Sequence, residues 1–510
     1  MINDSETTDF INAPTQEPER QLFYIERCKE LLAASGQMTD EKKLTYHIST
    51  FGCQMNFRDS EKLAGVLESI GYERVESEKA DLVLYNTCTV RENASTRVYG
   101  RIGYVGKIKK EKNPSMVIGI CGCMMQEPDE VEKMKKSYSF IDIIFGTHNS
   151  YKIAELLYTL LMNRKAKEKN PSLKTHVIDV QKEATGIVED LPVRYDSTFR
   201  AGVNIMYGCD NFCTYCIVPY VRGRERSRKS CDIIREVEEL ASRGVKEIML
   251  LGQNVNSYGK GLDENITFAA LLDKLSDIKG IKRIRFMTSH PKDLSDDLIS
   301  VMSRKETICR HIHLPLQSGS SRLLKKMNRH YTREDYLTLV GKLRAAMPDI
   351  AITTDIIVGF PGETEEDFKE TLEVCEEVSF DSAFTFIYSK RTGTPAAAFS
   401  DQVPEDIVKE RFDRLLKVVA HSSSAIASKL VGKDVDVLVE NVGHSLEGGE
   451  ASDGRTPETG EDAVTALTGR LGNNLLVHFE GRKSLVGEIV RVHIDECKDF
   501  YYLGSLSVLD

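Results

Sequence analysis

Tryptophan is absent from these 510 residues, no run of 18 apolar residues occurs, and positive charge is in the minority. The missing apolar run excludes a membrane-spanning helix of ordinary length. With 68 Lys and Arg against 78 Asp and Glu the formal net charge is −10, so a polyanion would have to dock on local basic patches. The first residues, MINDSETTDF, are acidic and polar where a secretory signal is basic and then apolar; a cytoplasmic location without membrane contact is expected. No internal repeat array is evident. What is present is an ordinary globular composition, 41% hydrophobic and 29% charged. The length suits about two to four domains. Twelve cysteines in a reducing compartment point to metal binding or catalysis rather than to disulfides.

The periodicity changes along the chain. Residues 1–44 are polar with one amphipathic stretch, FYIERCKELLAA, and read as a loosely attached extension. From 45 to 163 strands and helices alternate, which implies a parallel sheet with right-handed crossovers. The strands are YHISTF, DLVLYN, SMVIGI and IDIIFG, and a helix is expected over SEKLAGVLESIGY with Ser60 as its N-cap. Residues 164–195 have little periodicity and read as a linker. A second alternating stretch, 196–427, carries six strand candidates (AGVNIM, KEIMLL, KRIRFMT, HIHLPL, AITTDIIVG and SAFTFIYS), enough for a partial (β/α)6 barrel. From 428 to 510 short strands follow without helices, as in a small antiparallel β-barrel. A Gly-rich acidic insert, GHSLEGGEASDGRTPETGEDAV, interrupts them.

Two cysteine triplets carry the chemistry. Cys209, Cys213 and Cys216 follow the first barrel strand, at the end where β/α barrels place their active sites. Three closely spaced thiolates suit a [4Fe–4S] cluster with one open iron; a zinc site completed by a distant ligand such as His290 or Cys231 is the alternative. Cys53, Cys88 and Cys123 are 35 residues apart in both intervals, about one β/α unit, and each closes a strand. Parallel strands end on one edge, so the three thiols are expected to converge there and suit a second cluster. The alternative is three packed strand-end cysteines. Cys121 competes with Cys123, separated from it only by distance along the strand. Cys28, Cys231, Cys309, Cys375 and Cys497 are expected to be structural.

The CxxxCxxC spacing at 209–216 resembles that of the radical S-adenosylmethionine enzymes, in which the methionine amino and carboxylate groups occupy the open iron. The order of dispersed triplet, CxxxCxxC barrel and terminal β-barrel resembles the methylthiotransferases over residues 45–510, with their N-terminal methylthiotransferase domain, radical S-adenosylmethionine core and TRAM domain. TFGCQMN, NTCTVRENA, RGRERSR, LGQNVNSYG and HLPLQSGS look like the branch of tRNA-2-methylthio-N6-dimethylallyladenosine synthases. Gln54 and Met55 stand where the branch modifying a ribosomal protein has proline and lysine, and where the threonylcarbamoyladenosine branch has GCK the chain has GCQ.

The resemblance implies two [4Fe–4S] clusters, on Cys209, Cys213 and Cys216 and on Cys53, Cys88 and Cys123. S-adenosylmethionine would serve as methyl donor and as radical source. The product would carry a methylthio group on C2 of isopentenyladenosine, next to the anticodon at position 37 of a tRNA. Tyr215 would pack on the cofactor adenine, Gly252, Gln253 and Asn254 would meet its amino group, Gly359 and Glu363 would lie on its adenine side, and Ser289 and His290 end the third strand of the barrel. Arg222, Arg224, Arg226 and Arg228 are expected to position tRNA phosphates, with the run RLLKKMNRHYTR at 322–333 as a further candidate. The terminal domain is acidic, and a basic face is expected around Arg470, Arg482 and Lys483. A flavodoxin- or ferredoxin-like electron donor and a sulfur donor would complete the partners. Other readings are the same chemistry on another modified adenosine or on a protein side chain, and a non-catalytic metal-bound RNA-binding protein.

Overall fold

The computed structural model describes residues 12–39, 41–89, 92–443, 464–498 and 501–507; the acidic insert, but for its first and last residues, lies outside them. The chain divides into two compact units. One comprises Met1–Asp196, Met206–Asp210 and Ile217–Arg228, and the other Ser197–Ile205, Asn211–Cys216 and Lys229–Asp510.

The first unit is built on six parallel strands: β1 (Thr45–Thr50), β2 (Glu73–Arg74), β3 (Leu82–Thr87), β4 (Val117–Gly122), β5 (Ile143–Phe145) and β6 (Val177–Asp179). Their order is β2-β1-β3-β4-β5-β6. LVLYNT and VIGICG are buried at every position, because these central strands are covered on both faces. Alternation divides them: Leu82 and Leu84 join the core beneath helices 54–70 and 153–169, while Val83 and Tyr85 join the core beneath helices 92–111 and 128–137.

Three expectations need correction here. Part of the polar extension is docked: helix Glu19–Ala34 buries Tyr24, Ile25, Cys28 and Leu32 in the first of these cores, and Arg20 pairs with Glu155. One apolar stripe on an otherwise charged helix docks it without raising the mean hydropathy of the segment. The stretch 164–195 is not only a linker, since helix Ile153–Lys169 runs into it and β6 pairs with β5; three residues are too few to display alternation. The helix expected from Ser60 begins at Gln54 with Cys53 as N-cap, and Ser60 lies buried within it, hydroxyl to hydroxyl with Thr50.

In chain order β7 (Arg200–Asn204), β8 (Met206–Tyr207) and β9 (Arg226–Ser227) follow; β8 and β9 pair antiparallel within the first unit. The second unit contains β7, β10 (Glu247–Leu251), β11 (Arg283–Phe286), β12 (His311–His313), β13 (Ala351–Val358) and β14 (Ser382–Ile387). All six expected barrel strands are present, in two parallel three-stranded groups joined by the bridge between Ile284 and Ile308. β15 (Asp434–Val442), β16 (Val464–Leu471), β17 (Leu476–Arg482), β18 (Ile489–Lys498) and β19 (Tyr501–Leu506) close a barrel in the order β15-β16-β17-β19-β18. It is not wholly antiparallel, because β17 and β19 close it in parallel.

Within the second unit, this terminal barrel is anchored on the floor of the larger one. Arg283 donates to the carbonyls of Arg470 (2.8 Å) and Asp436 (2.7 Å), and Arg285 to those of Gly472 (2.7 Å) and Leu471. Glu247 balances Arg285 at 2.9 Å, and both side chains are buried. Arg285→Ala would leave that buried carboxylate with Arg283 alone, at 3.9 Å. We expect a loss of about 3–5 kcal/mol of stability, read by denaturant unfolding of the full chain together with earlier proteolytic release of residues beyond 430.

Candidate functional site

In the first unit, β1, β3 and β4 deliver the dispersed cysteines to one edge of the sheet. Gly52 and Gly122 make the close approach possible. Their φ angles are +134° and +95°, and a Cβ would stand 2.8 Å from Cys88 Cβ at the first and 2.4 Å from the Thr87 carbonyl at the second. The Cys53 carbonyl accepts from the amides of Asn56 and Phe57, which fixes the cysteine at the start of helix 54–70. Asn56 is the central spacer: its amide nitrogen donates to the Phe51 and Thr87 carbonyls, and its Oδ1 lies 3.8 Å from Cys53 Sγ and 3.9 Å from Cys123 Sγ. Cys88 and Cys123 are buried and Cys53 is exposed, so the group opens on one side. Cys123 rather than Cys121 faces these partners; Cys121 lies among the apolar side chains of the sheet core.

Arg222 arrives at the end of helix Val218–Arg222. Its Nε donates to Cys123 Sγ (3.2 Å), one terminal nitrogen to Asn56 Oδ1 (2.6 Å) and the other to Asp59 (2.7 Å). Burial pushes the Cys123 thiol up to about 11, against the pull of this guanidinium. The guanidinium thus faces a sulfur that would accept more strongly as a thiolate than as a neutral thiol.

The other arginines of this run are also largely engaged. Arg228 is buried and grips Glu189 through two bonds of 2.6 and 2.7 Å. Arg226 is half-buried and donates to the Arg222 carbonyl, and Arg224 alone projects, beside Asp210 at 3.1 Å. As phosphate contacts, Arg222 and Arg228 are therefore corrected: acids distant in sequence hold them inside. The run at 322–333 behaves alike, with Arg322 on Asp367, Lys326 on Asp401 and Arg333 on Glu373. On the terminal barrel Arg470 is tied to buried Glu440 at 3.2 Å, which leaves Arg482 and Lys483 as the exposed part of the expected basic face.

Of the second triplet, Cys209 belongs to the first unit, its amide bonded to the Gly223 carbonyl. Cys213 and Cys216 belong to the second, where the Cys216 amide donates to the Cys213 carbonyl at 2.9 Å. Arg329, buried, donates to Cys213 Sγ (3.5 Å), the Tyr331 hydroxyl (3.1 Å) and the Pro315 carbonyl (3.1 Å). Tyr215 packs edge-on against Phe360 at 6.5 Å, and Phe360 in turn against Tyr388.

The strand-end residues differ in what they leave available. Ser289 is buried and its hydroxyl has no partner among the described residues, as a polar ligand would require. The Gly252 carbonyl accepts from Thr288 (2.8 Å), and Gln253 is half-buried. Asn254 is spent on Asp293 (2.7 Å) and the His290 amide (3.2 Å), so it supports the strand end rather than facing a ligand. Glu363 is likewise engaged, its Oε1 accepting from Arg411 at 2.8 Å and from the Gly359 amide at 3.2 Å. Burial, then the Arg329 charge, holds the His290 imidazole neutral.

Among the described residues no three His, Cys, Asp or Glu side chains close on a single ion. Sequence reasoning missed Asn56, Asp59 and Arg329. Asn56 was open to discovery, because three residues after Cys53 it shares the first helical turn.

Residues 203–375 match the Radical SAM superfamily, residues 45–146 the uncharacterized protein family UPF0004 and residues 459–506 the TRAM domain. A tRNA-2-methylthio-N(6)-dimethylallyladenosine synthase of Lachnoclostridium phytofermentans is 58% identical over 465 residues, covering 91% of this chain and 96% of its own. Proteins of the same name from a Thermoanaerobacter species (51% over 483 residues, covering 94% and 97%) and from Clostridium perfringens (52% over 467, covering 91% and 98%) are similar throughout.

Proposed function

Because this chain belongs to the tRNA-2-methylthio-N6-dimethylallyladenosine synthase family of radical S-adenosylmethionine enzymes, we propose that it transfers a methylthio group to C2 of an isopentenylated adenosine beside the anticodon of tRNA. A [4Fe–4S] cluster and S-adenosylmethionine follow from the superfamily; the second cluster, on Cys53, Cys88 and Cys123, is part of the proposal. When bound, these groups supply one-electron chemistry, a methyl group and a transferable sulfur, which an unactivated C2–H demands because it offers no acidic proton to a base.

The protein's own residues divide the work. Cys209, Cys213 and Cys216 hold the first cluster by their close spacing in the chain. Arg329 donates to the Cys213 sulfur, and the aromatic pair Tyr215 and Phe360 gives the cofactor an apolar wall. The Ser289 hydroxyl offers a buried hydrogen bond to the cofactor's polar end. In the first unit Asn56 spaces Cys53 from Cys123, and the exposed side at Cys53 leaves room for a reacting group. Arg224, Arg482 and Lys483 are the exposed cations proposed to meet tRNA phosphates. A low-potential electron donor and a sulfur donor are required partners of this scheme.

The convergence of the dispersed triplet carries the reading, since a cofactor-cleaving barrel alone needs only one cluster. The substrate is tested by offering the reconstituted, reduced protein tRNA that is isopentenylated, threonylcarbamoylated or unmodified, then weighing the digested nucleosides. A methylthio mass gain on isopentenyladenosine alone is expected. A gain on threonylcarbamoyladenosine would move the enzyme to the other branch.

A further inference from the structure

Arg222 lies in the segment matched to the Radical SAM superfamily, six residues beyond Cys216, yet its side chain is buried among the dispersed cysteines of the first unit. Its helix packs there too, Ile217 and Val221 forming an apolar group with Cys123. A buried guanidinium needs compensating negative charge. Asp59 supplies one carboxylate, and the remaining donors face Asn56 and a sulfur. A neutral thiol is a weak acceptor, whereas a ligating thiolate is a strong one.

We propose that Arg222 is the positioning residue of the dispersed triplet: its guanidinium, oriented by Asp59 and Asn56, donates to the Cys123 sulfur and sets the charge, and with it the reduction potential, of the cluster bound there. The inference rests on the two-cluster reading above. Three thiolates outweigh the charge of an oxidised cluster core, and reduction adds more negative charge. A donor and a cation held 3.2 Å from one ligand sulfur favour the reduced state and raise the potential. The matching segment 45–146 taken alone would thus lack one of the groups its own cluster uses.

The test uses the full chain with Cys209, Cys213 and Cys216 changed to Ala, so that only the dispersed triplet can hold iron. Iron content and the midpoint potential, followed by electron paramagnetic resonance, are compared with those of the same chain carrying Arg222→Lys or Arg222→Met with Asp59→Asn. The paired variant removes both charges of the ion pair, which spares the fold an unpaired carboxylate. We expect Arg222→Lys to retain iron with a modest downward shift, and the paired variant to shift further down or to lose iron. Unmoved potentials at full iron would overturn the proposal. So would equal loss of iron from both variants, which would make Arg222 a packing element. Absence of iron from the starting triple variant would instead remove the two-cluster reading itself.

Discussion

Cys213→Ala is expected to reduce 5′-deoxyadenosine formation to the level seen without protein. Cys213 is the middle cysteine of the CxxxCxxC run, is buried, and receives the buried Arg329 donor. Alanine would remove the proposed iron ligand and leave the guanidinium facing an apolar methyl, so cluster binding and its electrostatic support would fail together. Chromatographic quantitation of 5′-deoxyadenosine after anaerobic reconstitution with reductant reads the effect. Production at the wild-type rate would remove Cys213 from the cofactor-cleaving site.

Cys88→Ala is expected to separate the two halves of the reaction: no methylthio product, with 5′-deoxyadenosine still formed. Cys88 closes β3, is buried, and sits so near Gly52 that a Cβ there would come within 3.2 Å of its sulfur. The substitution removes the central cysteine of the dispersed triplet, a ligand in the proposal above, while leaving Cys213, Cys216 and Arg329, which lie in the other unit, untouched. Cleavage without sulfur insertion is the signature of a lost sulfur source. Full methylthiolation by this variant would reassign the dispersed triplet to packing.

Much of this was legible in the chain itself because period and spacing are local properties. LVLYNT and VIGICG announce buried strands, and equal intervals of 35 residues place Cys53, Cys88 and Cys123 on one sheet edge. The five terminal strands were visible for the same reason, whereas the parallel closure of β17 on β19 depends on how the ends of the barrel meet. Partners far apart in sequence are not local. RGRERSRK reads as a basic patch because Asp59 and Glu189, which bury Arg222 and Arg228, lie more than a hundred and about forty residues upstream, at separations of 163 and 39. Helix 19–34 looked peripheral because its four buried apolar side chains, Tyr24, Ile25, Cys28 and Leu32, are diluted by charged ones that face water. Glu363 matched a ligand-side pattern, and only the fold reveals that Arg411, 48 residues away, claims it.

The most direct measurement counts iron and acid-labile sulfide, with Mössbauer spectra, in the anaerobically reconstituted full chain and in two triple variants. One replaces Cys53, Cys88 and Cys123 by Ala, and the other Cys209, Cys213 and Cys216. Two independent [4Fe–4S] clusters predict about eight irons in the unaltered protein and about four in each variant. Undiminished iron in the first variant would contradict the second cluster, and with it the division of labour between the two triplets.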